Sequence, residues 1–324
     1  MKKRVLGRSG IAVSPLGLGC WAVGGDFILG GLADGWGGID DAESMRAIRR
    51  ALELGINFID TADAYGVGHS EAIIGKAIAG KRNEVVIATK FGFFGNESTK
   101  ILHGINLTPQ YIERACEASL KRLNTDYLDL YQLHVGDIAI SEIEPIGNTL
   151  DQLVAQGKIR TYGWSTDLVP GARLFAENIH CSAIQFAANV FCDNPKMVDF
   201  CDAADLAAIT RSPLAMGLLS GKYTADSVLG TADVRGAGHA WVPYFANGKP
   251  APEFLKKIDQ VKEILTSNGR SLTQGALAWI WGKSGRTIPI PGFKTVKQVE
   301  ENARAMEFGA LSESQMKELE RILS

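Results

Sequence analysis

The chain has 324 residues, 46% of them apolar and 22% charged, with a net charge of −2, so it can fill a sizeable core as one large domain. Both signs of charge are scattered, which leaves no basic face for nucleic acid and no polybasic run for a membrane surface. MKKRVLGRSG lacks the apolar stretch of a signal peptide, and the least charged segment, 178–192, is too short and too polar to span a bilayer, so a cytoplasmic protein is expected.

In chain order, RVLGRSGIAVS reads as a hairpin turning around residues 7–10. Eight apolar, β-prone runs follow, at 16–19, 57–60, 85–89, 128–133, 161–164, 183–187, 206–210 and 287–290. Several, such as VVIAT, are continuously apolar, as expected of parallel strands covered on both faces. Helical patterns separate them. Met45, Ile48 and Leu52 share a face in a helix that Gly55 ends. Thr108-Pro109 marks a helix start, with Ile112, Ala115, Cys116, Ser119, Leu120 and Leu123 on one stripe. Another helix stops at Gly157, and Ser312 with Gln315 have capping-box spacing. Strand and helix alternating eight times without a linker describe a single (β/α)8 barrel over residues 1–324, with an N-terminal hairpin. Two stretches, 24–39 and 225–252, are long for connections in such a fold and read as rim loops. The Gly/Ala-rich second one has the composition of a mobile flap.

The five cysteines are odd in number and form no CxxC, so they read as unbridged; Cys116 falls on a helix's apolar stripe. The five histidines include no HxH pair, and only His134 lies at a confident strand end, which argues against a metal centre.

In a barrel of this kind the chemistry gathers at the C-terminal ends of the strands. The second run ends in Asp60, with Tyr65 in the loop beyond. The third is followed by Lys90, and the fourth, YLDLYQLH, ends in His134. Taken singly, these residues read as a helix cap, a solvated lysine and a core histidine. On consecutive strand ends they form a set with a chemical logic. A tyrosine of ordinary pKa, about 10, gives up its proton reluctantly at neutral pH, and a neighbouring ammonium eases that transfer. The ammonium needs a counter-charge, which Asp60 supplies, while His134 can orient a substrate oxygen or relay a proton. Such a set suits a general acid that protonates a developing alkoxide.

The segments GLGCW, NFIDTADAYGVGHSEAIIGKAI, VVIATKFG, DYLDLYQLH, GKIRTYGWST, SPLAMGLLSGKY and IPIPGFKTVKQVEENARA make the chain resemble the aldo-keto reductases almost end to end. The resemblance implies a barrel that binds NADPH (NADH less readily) without a Rossmann domain and passes hydride between it and an aldehyde, ketone or alcohol. Independently, no GxGxxG occurs; GVGHSE at 66–71 has Glu71 in the last glycine's place.

By that resemblance Tyr65 is the acid, Lys90 lowers its pKa, Asp60 pairs with Lys90, and His134 orients substrate. Gly19, Cys20, Trp21 and Asp60 then border the cofactor, and Ser165, Thr166 and Gln185 hold its carboxamide. Arg211 replaces a stacking aromatic. Ser212, Leu214, Gly217 and Lys222 follow the pyrophosphate, and Gly292, Lys294, Thr295, Gln298, Glu301 and Asn302 take the adenosine end, with Lys294 favouring the 2′-phosphate of NADPH. The family also contains channel-associated subunits that use the cofactor for sensing or assembly, which is the alternative reading.

Overall fold

A computed structural model describes residues 1–323. Eight parallel strands run in sequence order around a barrel: Gly17–Gly19, Phe58–Asp60, Val86–Phe91, Leu128–Leu133, Ile159–Ser165, Cys181–Ala187, Ala207–Arg211 and Thr287–Pro289. The seam between the last and first strands is closed by a parallel bridge from Gly19 to Gly292, with the Gly19 amide donating to the Pro291 carbonyl at 3.0 Å. All eight expected strands are present. The third is longer than its apolar run suggests and carries Lys90 inside it.

The connecting helices have the expected starts and faces. Asp40 caps the helix Asp41–Glu53 by accepting from the amides of Ala42 and Glu43. Pro109 begins the helix Pro109–Leu123, which buries Ile112, Ala115, Cys116, Ser119 and Leu123 on one side. Thr108 stands at the cap position, but its hydroxyl donates to Asn106 Oδ1 at 2.8 Å instead of capping. Ser312 and Gln315 do exchange capping-box bonds.

Inside the barrel, the period of two along each strand sorts the side chains into levels. Phe58, Val86, Ala88, Leu130, Ala183, Ala207, Ile209, Ile288 and Ile290 pack into one buried apolar cluster. The N-terminal hairpin, Arg4–Val5 paired with Ala12–Val13, inserts Leu6, Ile11 and Val13 into the same cluster and so plugs the lower end. Its turn presses tightly on the strand starts. A Cβ at Gly7, whose φ is +46°, would lie 2.3 Å from the Ser182 carbonyl. Two residues further along, the inward positions turn polar: Asp60 after Phe58, Lys90 after Ala88, Gln132 after Leu130, Gln185 after Ala183, and Arg211 after Ile209.

At the upper rim the segment 24–39 is not a free loop. Its hairpin, Ile28–Leu29 with Leu32–Ala33, joins a second hairpin, Phe93–Asn96 with Ile101–Ile105, in a four-stranded sheet. The segment 225–252 crosses to meet it. Trp36 bridges to Asp233, and the Val234 amide donates to the Gly35 carbonyl at 2.8 Å. With Val234 and Arg235 buried there, this stretch is anchored, contrary to the mobile flap its composition suggests. Among the described residues, no helix is long and apolar enough to cross a membrane.

Candidate active site

The four residues singled out on strand ends converge. Lys90 Nζ lies 2.5 Å from Asp60 Oδ1, donates to the Thr61 carbonyl at 2.8 Å, and is 3.2 Å from the Tyr65 hydroxyl. Tyr65 meets the His134 ring edge-on, with centroids 5.6 Å apart. The ammonium is fully buried. Burial pulls it toward the neutral form, but Asp60 and the phenol outweigh that and hold its pKa above the ordinary lysine value. The second carboxylate oxygen of Asp60 accepts from the side-chain amides of Gln185 (2.8 Å) and Gln132 (3.1 Å). The buried charge pair therefore has its remaining lone pairs satisfied, which is the condition for tolerating such a pair in a core.

Burial raises the Tyr65 phenol above the ordinary tyrosine value, and Lys90 pulls in the opposite direction without cancelling it. Lys90 thus lowers the phenol's pKa as expected, but desolvation exceeds the attraction of one ammonium. The group is a fully protonated acid at neutral pH, and the lysine limits the cost of its losing that proton. His134 is driven well below the ordinary histidine value, first by burial and then by Lys90 and Arg211, so it is a neutral imidazole, with a buried Nδ1 that has no partner.

These groups open into a cavity of about 760 Å³. Of the residues expected around a cofactor, Gly19, Cys20, Trp21, Asp60, Ser165, Gln185, Arg211, Ser212, Leu214, Gly217, Lys222, Gly292, Lys294 and Gln298 line it. Ser212 (φ +54°) and Gly217 (φ +89°) turn the chain through left-handed backbone there. Four of the expected residues stand away from the wall. Thr166 spends its hydroxyl on the Gly136 carbonyl at 2.6 Å, and Thr295 caps the helix Val296–Phe308 through the Gln298 amide. Glu301 accepts from the Ser271 hydroxyl, and Asn302 is buried with its Nδ2 unpartnered. Arg211 is held by Asp167, and Lys294 donates to the Trp36 carbonyl.

Gln132 escaped the sequence reading, although it sits two residues before His134 and so faces the same interior. Arg235 and Asp34 also line the cavity from the long segments, where nothing local marks them. Lys222 and Arg235 are near enough to Lys294 to affect its ionisation. Burial lowers the Lys294 pKa and the other two cations lower it further, against the pull of Asp233 and Asp26. Lys222 and Lys294, beside an Arg235 that is paired with Asp233, give the cavity wall cations suited to a phosphate-bearing ligand. No group of three or more His, Cys, Asp or Glu side chains suited to a metal occurs among the described residues.

Residues 15–324 match the Aldo/keto reductase family, and the chain belongs to it. It is 34% identical over 298 residues to Aldo-keto reductase YhdN of Bacillus subtilis (strain 168), covering 90% of this chain and 85% of that one. It is 30% identical to the NADH-specific methylglyoxal reductase of Escherichia coli (strain K12), covering 94% of each. Among solved structures, the glycerol dehydrogenase AKR11B4 from Gluconobacter oxydans superposes with a TM-score of 0.83 at 29% identity, covering 99% of this chain and 94% of that one. An aldo/keto reductase from Klebsiella pneumoniae in complex with NADP and acetate gives 0.72 at 26% identity, covering 100% and 96%.

Proposed function

We propose that this protein is a carbonyl reductase, working as one barrel domain, that uses NADPH in preference to NADH and runs in reverse as an alcohol dehydrogenase. The observation that carries the reading is the line Asp60–Lys90–Tyr65, at 2.5 and 3.2 Å, opening beside His134 into the cavity. NADPH, when bound, supplies the hydride that adds to the carbonyl carbon. Lys222, Arg235, Lys294 and Gln298 would hold its phosphate-bearing end, and Ser165, Gln185 and Arg211 border its other end. The complex of a relative with NADP supports this choice, and the NADH-specific relative makes Lys294 the residue to test.

The chain's own contribution is proton transfer. As charge develops on the carbonyl oxygen, the Tyr65 hydroxyl donates its proton there, and the phenolate left behind rests against the Lys90 ammonium. Asp60 keeps that ammonium charged, while Gln132 and Gln185 fix the carboxylate. Neutral His134 orients the carbonyl by hydrogen bonding without competing as an acid. The five unbridged cysteines accord with a reducing cytoplasm.

The test is Tyr65→Phe in single-turnover reduction of a panel of aldehydes. NADPH affinity, followed by its fluorescence, is expected to stay within a few-fold while the chemical step drops by at least about a hundredfold. Equal hydride-transfer rates in the variant and the wild type would overturn the assignment.

A further inference from the structure

Resting on the carbonyl-reductase reading, the geometry points to a substrate slot for carbonyl compounds that carry a flat apolar group, with Trp241 as the residue that selects them. Trp241 comes from the long rim segment, is 52% exposed, and lines the cavity. Its indole stacks on that of Trp21 at 6.1 Å and 28°, and Trp21 stacks in turn on Tyr65 at 6.0 Å and 22°. Three near-parallel rings thus lead from the mouth to the proton donor. The outermost is an exposed aromatic surface that a planar ligand would cover.

The other walls near the reacting end are apolar: Phe27, Leu29, Phe93 and Leu102 line the same cavity. Few polar groups stand among them, although Asp34 Oδ1 and Trp36 Nε1 on the cavity lining have no hydrogen-bond partner. The Trp21 indole N–H donates to the Asp34 carbonyl oxygen at 3.0 Å. Tyr65 and His134 are reserved for the carbonyl oxygen itself. An aryl group on the carbonyl compound gains stacking on these rings that a polyhydroxylated chain does not. Trp241 is kept in place by His239, whose ring packs on it at 5.2 Å and whose Nε2 bonds the Ala33 carbonyl at 2.8 Å, so the slot is assembled from both rim segments.

The test compares kcat/KM for 2-naphthaldehyde and glyceraldehyde in the wild type, Trp241→Ala and Trp241→Phe, with NADPH titration and circular dichroism confirming that each protein is folded and loaded. The wild type is expected to favour naphthaldehyde by more than about tenfold. Trp241→Ala should cut that ratio by about tenfold, mainly through KM, and Trp241→Phe should restore most of it. A ratio unchanged by Trp241→Ala, or a wild-type preference for glyceraldehyde, overturns the slot alone. No turnover with any carbonyl compound overturns the reductase reading on which it rests.

Discussion

Below the level of Asp60 the barrel interior holds Phe58, Ala88, Leu130, Ala183 and Ile209, sealed from beneath by Leu6, Ile11 and Val13. One inward position higher, the same strands present Asp60, Lys90, Gln132, Gln185 and Arg211. The lower half is held by burial alone, at about 1.5–3 kcal/mol for each large side chain withdrawn from water. The upper half places a buried ammonium, a buried carboxylate and two amides in contact, and it is tolerable only because each polar group finds another. Stability and chemistry are therefore stacked along one axis, two residues apart on each strand, and can be damaged separately.

The sharpest way to break that division is Lys90→Met, which leaves the Asp60 carboxylate buried without its cation. Equilibrium unfolding is expected to show a loss of about 3–5 kcal/mol, and single-turnover reduction a drop of several orders of magnitude. Adding Asp60→Asn should return part of the stability and none of the rate; recovery of both would mean the pair has no chemical role. At the lower level, Phe58→Ala should cost about 3–5 kcal/mol through the cavity it leaves. NADPH affinity should change by no more than a few-fold, and a large loss of affinity would show that the two levels are not separable.

The smallest effect concerns the rim. Burial pushes the Asp34 carboxyl up to about 6, with His239 opposing. An acid whose pKa is raised on folding binds more protons in the folded state, so stability should fall as pH rises from about 4 to about 6 and level off above that. The loss is expected to be on the order of 1–3 kcal/mol. Asp34→Asn should flatten the slope in urea titrations across that range, and an identical slope in the variant would remove Asp34 as its source.

The strands and their polar tips were legible because both depend on local order: apolar runs of strand length, and the residue that ends each one. Gln132 could have been read from the same alternation, since a strand that points His134 inward must point Gln132 inward too. The rim was not legible. FFGNESTKILHGI contains a hairpin, but what stabilises it is parallel pairing of Ile28 with Ile101, a contact more than seventy residues away in the chain. Anchoring of the 225–252 segment likewise depends on Trp36 meeting Asp233. The effect of Lys90 on Tyr65 was legible, but the larger opposing effect of burial was not, for a related reason. The sequence shows which charges are near, whereas desolvation depends on how completely the surrounding fold excludes water.

The seam at Gly19 and Gly292 has a consequence for biosynthesis. The earliest barrel strand to leave a ribosome receives its second neighbour only when the chain has been made as far as residue 292. Until then the ring stays open, the strand keeps one unsatisfied edge, and residues on opposite sides of the gap cannot enclose a dinucleotide. Nascent chains halted short of residue 292 are thus expected to expose that edge and to depend on chaperones.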